Sequence, residues 1–466
     1  MTAPRGIAVV DVGHTNTKVL LFSPQLEVLA ERKMTSTHRQ GAHYSEIDTE
    51  PMIAFAGAVL REMDAILPVD RIVTSAHGAC IVSLKADGTL AVPIMDYMSN
   101  PPPDILAAYT AVSPSFAETY SPQLPLALLH GMQLFWQARA LPEDFARTAT
   151  ILPLMQYVAM RLGGRAVSEI SAMGCQSHLL DLNSFGPTKL AVAEGWAGKY
   201  APLAKAWEII GTLKPEFRGD SFRGRAEIAA GVHDSNANFL RYLASGVEHF
   251  TLLSTGTWII GFDSDAAITG LDPARDTVAN ISVLGRPVAC CRFFGGKEFE
   301  VLSGGAPGQA ASLTCAAALL AAGTLALPSF TDSGGPVPRT ALKGHIVGPA
   351  PQSAEERATL ASLYCALMVS ESLDVIGSRH DVIVDGPFSQ NDVFLAVLAG
   401  LRHGQRVFAS ELKDGTAAGA ACLGLMDDST LPRMTAAMRT VEPAALPGLP
   451  AYQDNWKQLT RSLSHA

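Results

Sequence analysis

Near the start of the chain, Asp11-Val12-Gly13-His14-Thr15-Asn16-Thr17-Lys18 gathers an acid, a glycine, two threonine hydroxyls, an amide and a lysine in one short run. Together these supply what a phosphate needs: backbone N–H groups freed by a turn, hydroxyl donors, a cation, and a carboxylate for a metal ion. A solvated hairpin turn has the same composition. Ser254-Thr255-Gly256-Thr257-Trp258 repeats the hydroxyl-and-glycine theme far downstream. Gly231-Val232-His233-Asp234-Ser235-Asn236 places an acid where a strand gives way to a helix. Such an Asp serves as an N-cap, as a catalytic carboxylate, or as both, because a helix N-terminus favours the ionised form. His77-Gly78 closes an apolar strand, where open α/β sheets hold their ligands. A histidine there serves equally as a structural partner of a loop carbonyl. Glu46 and Asp48 are near enough for paired acid–base work and also fit a loop and a helix cap.

The surrounding elements must position these groups. Apolar runs 7–10 and 19–22 flank the first polar turn and predict a β-hairpin. Runs 252–253 and 259–262 flank the second turn in the same way. Asp48, Glu50 and Pro51 open an amphipathic helix over 52–66. A strand over 71–76 ends at His77, followed by strands over 79–84 and 90–95. The stretch 97–125 is rich in Pro, Ser and Tyr and reads as an irregular loop rimming a site. Helical spacing predicts helices over 127–140, 237–243, 310–327, 355–377 and 393–401. A strand over 380–384 runs into Asp385-Gly386-Pro387-Phe388-Ser389-Gln390-Asn391, and Asn391 or Asp392 caps the next helix. Strand, glycine turn and helix N-terminus form a common nucleotide-contacting arrangement. Asp414-Gly415-Thr416-Ala417-Ala418-Gly419 opens a helix of very small residues, which lets a backbone approach an adenine or another helix. Neither G-x-x-x-x-G-K-[ST] nor G-x-G-x-x-G occurs, so a nucleotide would not be held in the P-loop or Rossmann manner.

A chain of 466 residues exceeds what one hydrophobic core supports, which predicts two domains. One phosphate-type turn opens each half, at a separation far larger than a solenoid repeat, which reads as a duplicated domain. The expected division is 1–246 and 247–466. With 48% apolar and 17% charged residues the chain is a well-buried globular protein. Its net charge of −9 and the lack of any Lys/Arg run argue against nucleic acid and acidic membranes as partners. An anionic ligand must therefore be met by local donors and a metal. Seven scattered cysteines without C-x-x-C spacing read as buried thiols of a reducing compartment. The segment 1–6 does not read as a signal peptide, and the alanine-rich run 316–327 is too short to span a bilayer. A cytoplasmic protein is expected, as a monomer or homodimer.

In motif order, over nearly its whole length, the chain resembles the FGGY family of carbohydrate kinases. The resemblance implies an α/β fold of two actin-like (ribonuclease H-like) ATPase domains with a cleft between them. It implies an N-terminal sugar-binding domain with the catalytic base and a C-terminal ATP-binding domain. It also implies ATP-dependent phosphorylation of a small sugar, a ketose of the rhamnulose, fuculose or xylulose type. By that resemblance Asp234 accepts the proton of the attacking hydroxyl, and Asp11 and Asp234 hold Mg²⁺. Gly13, His14, Thr15, Asn16, Lys18, Thr255, Gly256 and Thr257 surround the ATP phosphates. Gly386, Asn391 and Gly415 lie against the adenosine, and His77, Gly78, Asp96 and His233 face the sugar. Five positions depart from the family pattern: His14, Tyr44, Ala76 before His77, and Asp96-Tyr97. Two other readings are an actin-like binding protein without turnover, and a metal-dependent hydrolase built on His77, Asp96, His233 and Asp234.

Overall fold

A computed structural model describes residues 5–333, 335–411, 415–428 and 430–465; Asp414 lies outside them. The chain forms two units. The first holds Met1–Gly246, Asn280–Pro287 and Asp414–Thr435, and the second holds Val247–Ala279, Val288–Lys413 and Ala436–Ala466. Segments 280–287 and 414–435, expected in the second domain, group with the first unit.

The sheet of the first unit contains β1 (Gly6–Val12), β2 (Asn16–Phe22), β3 (Val28–Thr35), β4 (Val69–Ala76), β5 (Ile209–Thr212), β6 (Glu227–Ala229) and β7 (Val232–His233). Its order is β5-β6-β4-β1-β2-β3, with β7 also paired to β4. β1 and β2 form the predicted hairpin, with Asp11 opposite Lys18. β4 runs parallel to β1. β1 is apolar from Ile7 to Val10 because both faces of the sheet are covered there. Ala8 and Val10 join the core made with α1 (Thr49–Ile66) and α2 (Leu154–Leu162). Ile7 and Val9 join the opposite core, made with α3 (Asp234–Ala244) and the small-residue helix Gly415–Leu423. That helix is small for packing. A Cβ on Gly419 would lie 1.8 Å from the Ala237 carbonyl oxygen, so the two helices meet backbone to backbone.

The second unit repeats the plan. Its strands are β8 (Phe250–Thr255), β9 (Ile259–Asp263), β10 (Thr277–Ile281), β11 (Pro287–Phe293), β12 (Asp381–Asp385), β13 (Val407–Ser410) and β14 (Met438–Val441), in the order β10-β11-β9-β8-β12-β13-β14. β8 and β9 form the second hairpin, and β12 runs parallel to β8 as β4 does to β1. Helices α4 (Gly295–Ser303), α5 (Ala354–Val375) and α6 (Asp392–Leu401) pack on this sheet. α5 is long and apolar enough to cross a membrane, and 83% of its apolar window is buried within the protein. Its start is a capping box of Ser353 and Glu356. The helix expected over 310–327 is instead a helix Leu313–Ala321 and a strand Leu325–Leu327. Gly323, at φ +68°, takes the left-handed conformation that ends the helix. The loop expected over 97–125 holds a helix Pro103–Val112, begun by a proline whose missing N–H costs nothing there. The seven cysteines are unpaired thiols, six of them buried.

A buried carboxylate anchors β4. Asp70 accepts from the Arg5 backbone N–H at 3.0 Å, from Arg5 Nη2 at 3.0 Å and from the Arg225 N–H at 3.0 Å. Burial alone would raise its pKa, but these donors outweigh burial and bring it down to about 2. The folded value lies below the unfolded one of about 3.9. Its stabilisation is therefore full above that pH and lost as pH falls toward about 2. Asp70→Asn is expected to lower stability at pH 7 by about 2 kcal/mol. In urea unfolding, the gap to the parent chain narrows below pH ~4.

Candidate active site

Three strands of the first unit end together. The registers set Asp11 of β1 beside Ser75 of β4, and Ser75 beside Val232 of β7. One residue on, Val12, Ala76 and His233 are aligned. The His77 N–H then donates to the Val12 carbonyl at 3.3 Å. Asp234 follows β7 directly. It is the first residue of α3, and His233 is the N-cap, one position earlier than expected. Pairing of His233 with Ala76 keeps the chain extended up to that point.

Asp234 Oδ1 accepts from the Ser235 N–H at 2.6 Å and from His233 Nε2 at 3.0 Å. A third of its side chain, 33%, stays exposed. Desolvation pushes its pKa up, but His233, the field of His77 and the Ser235 N–H outweigh that and hold it below the usual carboxylate range. His233 is buried, which alone would lower its pKa. The sulfur of Cys175 and the carboxylate of Asp234 reverse that and raise it well above the ordinary value. Gly78 lies flat against this ring: a Cβ there would be 2.5 Å from His233 Nε2. The Gly78 carbonyl accepts from His130 Nε2 at 2.6 Å. Burial brings the His77 pKa down to about 4, and its buried Nδ1 has no hydrogen-bond partner among the described residues. Glu169, also fully buried, is lifted by burial to about 7.

His14 was expected among the phosphate donors. Its ring turns instead to the residues expected around the sugar. His14 Nε2 lies 3.0 and 3.2 Å from the two oxygens of Asp96, and the ring centroid lies 4.8 Å from Tyr97. His38 Nδ1 lies 3.0 Å from the same carboxylate. Burial pushes Asp96 up, but the His14 contact and the Met98 N–H hold it below its ordinary value. His38 carries no sequence signal of this role. The turn itself is closed by the Gly13 N–H donating to the Asn16 carbonyl at 3.0 Å. Ser36 braces it, donating from Oγ to the Gly13 carbonyl at 2.7 Å and from N–H to the Thr15 carbonyl at 2.9 Å. Thr15 and Asn16 are exposed at the tip, and Lys18 lies 3.6 Å from Glu31 on β3.

In the second unit the turn closes through the Gly256 N–H on the Trp258 carbonyl at 2.9 Å. Thr257 is exposed. Thr255 is engaged elsewhere: its hydroxyl donates to the Asp385 carbonyl at 2.5 Å and accepts from the Phe388 N–H at 3.1 Å. That locks the second turn to the end of β12. Two glycines let neighbouring elements close on this turn, Gly386 after β12 and Gly296 of α4. A Cβ on Gly386 (φ +86°) or on Gly296 would lie 2.1 Å from the Thr255 or Gly256 carbonyl oxygen. Asn391 is the N-cap of α6, accepting from the Phe394 N–H at 3.0 Å, and its Nδ2 donates to Ser362 Oγ at 2.9 Å. With Phe299, Pro307, Gly308, Pro387 and Phe388 it lines an apolar cavity of about 210 Å³. Gly415 belongs with the first unit, whereas Gly386 and Asn391 belong to the second.

Residues 247–433 match the model of the carbohydrate kinase FGGY C-terminal domain. A solved carbohydrate kinase from Novosphingobium aromaticivorans is 31% identical, with a TM-score of 0.88 and 99% of each chain covered. The chain belongs to the FGGY family of carbohydrate kinases. A xylulose kinase from Rhodospirillum rubrum (19% identity, TM-score 0.77, 99% of this chain and 98% of that one) shares the fold. So does a Plasmodium falciparum glycerol kinase with ADP (13%, TM-score 0.80, 99% and 98%). A search of curated protein sequences finds no match.

As an FGGY kinase the protein has two actin-like ATPase domains, uses ATP and acts on a small sugar. Membership of that family supports a kinase over the reading without turnover. The hydrolase reading needed His77, Asp96, His233 and Asp234 to converge. Among the described residues, the converging sets of three or more ligand groups are His14–His38–Asp96 and His249–Asp265–His380. Carboxylate oxygens such as those of Asp11 and Asp234 are of the hard type that Mg²⁺ takes.

Proposed function

We propose that this kinase phosphorylates a ketose of the rhamnulose, fuculose or xylulose type, with Asp234 as general base. The observation that carries this reading is the Asp234 carboxylate. It stands at the N-terminus of α3, ionised at neutral pH, one-third open and oriented by His233. A base in this state takes the proton of a sugar hydroxyl as that oxygen attacks the γ-phosphorus. His77, at the end of β4, orients the remaining hydroxyls. Backbone N–H groups of the turns at 13–16 and 256–257 bind the phosphates. The cavity beside Phe388 receives the adenine. Asp11 and Asp234 would hold Mg²⁺, which would neutralise charge on the phosphate oxygens. Little covalent chemistry is asked of the protein; positioning and charge stabilisation supply the rate.

The test is a coupled ADP-release screen with Mg-ATP. The panel holds L-rhamnulose, L-fuculose, D- and L-xylulose, D- and L-ribulose, L-erythrulose, glycerol and erythritol. Sugar-dependent ADP release is expected with a ketose. Release with only the polyols, or with none of the panel while ATP still binds in calorimetry, overturns the ketose assignment.

A further inference from the structure

We propose that His14, His38 and Asp96 bind a divalent transition-metal ion of the zinc class, separate from the magnesium of the nucleotide. The three residues come from the β1–β2 turn, the short strand His38–Gln40 and the chain after residue 95. Their ligand atoms all lie within 4.8 Å of one another. His38 Nε2 is 2.8 Å from the His14 carbonyl oxygen. A carbonyl only accepts, so Nε2 carries the proton, and Nδ1 of a neutral ring is left with its lone pair. That lone pair faces Asp96 Oδ2 at 3.0 Å, a second acceptor. Two acceptors so close need a positive charge between them, either a second proton or a metal ion. His14 Nε2, at 3.0 and 3.2 Å from the same carboxylate, converges on this point.

The outer contacts are those of a metal site. Ligating histidines characteristically donate their other N–H to a carbonyl, as His38 does, and ligating carboxylates are themselves hydrogen-bonded, as Asp96 is by the Met98 N–H. Two imidazoles and one carboxylate suit zinc, cobalt or iron, whereas magnesium favours oxygen alone. Metal–nitrogen bonds of about 2.0–2.1 Å put tetrahedral ligand atoms roughly 3.3 Å apart. The spacings of the two histidines from Asp96, 3.0–3.2 Å, therefore need only slight spreading. Three protein ligands leave a coordination position open. This site stands on its own geometry and goes beyond the ketose reading.

The test uses the whole chain, stripped with a chelator and exchanged into buffer free of magnesium and nucleotide. Titration with Co²⁺ is expected to give one bound ion per chain and a visible d–d spectrum, both abolished by Zn²⁺ competition. His38→Gln and Asp96→Asn should each weaken binding at least about tenfold, with circular dichroism confirming the fold. His249→Ala, which disables the exposed His249–Asp265–His380 cluster of the second unit, should leave it unchanged. No d–d spectrum in the parent chain would show that a proton fills the gap and would overturn the site. So would binding that survives both substitutions, or binding that depends on His249.

Discussion

Asp234→Asn is expected to lower kcat at least about 100-fold, the lower bound of what a positioned general base contributes. The amide matches the carboxylate in size and still accepts from the Ser235 N–H and from His233 Nε2, which lie 2.6 and 3.0 Å from Oδ1. The fold should therefore survive. What is lost is an ionised group able to take the hydroxyl proton. The carboxylate is ionised at neutral pH because His233, His77 and the Ser235 N–H outweigh its desolvation. No lowering of pH short of the acidic range should mimic the substitution. Affinity for a non-hydrolysable ATP analogue, read by calorimetry, is expected to change little. Near-parental turnover by Asp234→Asn, on the sugar the screen identifies, would remove Asp234 from the mechanism.

The second large effect is expected from the smallest change, Gly78→Ala. The new methyl would begin 2.5 Å from His233 Nε2 and 2.6 Å from Cδ2, where ordinary contact begins at 3.4 Å. The ring must recede by about 0.9 Å, or the strand end must move by as much. The ring is buried and held by Asp234 at 3.0 Å and by Asn236 at 3.2 Å. Any retreat therefore drags or releases the base. Misplacement of a reacting group by 1 Å costs up to about 100-fold in rate. We expect a fall in kcat of that order, with a melting temperature that drops modestly and nucleotide affinity that holds. Gly88→Ala, at a turn with open space around it, serves as the comparison; its effect should be confined to stability, from the strain of a left-handed backbone at φ +81°. Equal loss of turnover in both variants would show that Gly78 is merely structural.

Several parts of this site were legible in the sequence because their signals are local. A hairpin with an acid, a glycine and hydroxyls in its turn announces itself by composition, and both such turns form as read. The cap of α1 by Asp48 and that of α6 by Asn391 follow from residue preference over one helical turn. The place of Asp234 at a strand-to-helix turn is legible because strand, glycine and acid stand in order, although pairing of His233 with Ala76 moves the helix start by one residue. Thr255 and Asn391 show the limit of this kind of reading. Both are polar and well placed in the sequence, but Thr255 ties the turn to the end of β12 and Asn391 caps α6 and holds Ser362.

The sequence by itself determined that there are two hairpin-led α/β halves, where their polar turns lie and which carboxylate stands at a helix start. All of these depend on neighbours within a few residues. Only the tertiary structure decided the rest. Whether the small-residue helix approaches adenine or protein depends on where it is carried, and Gly419 meets Ala237 of a helix remote in sequence. Which groups the His14 ring meets depends on Asp96 and His38, which share no local pattern with it. The physical reason is the same in both cases. A backbone turn is set by the torsion preferences of its own residues, whereas the partner of a buried polar side chain is set by which distant strands and loops the core brings alongside it.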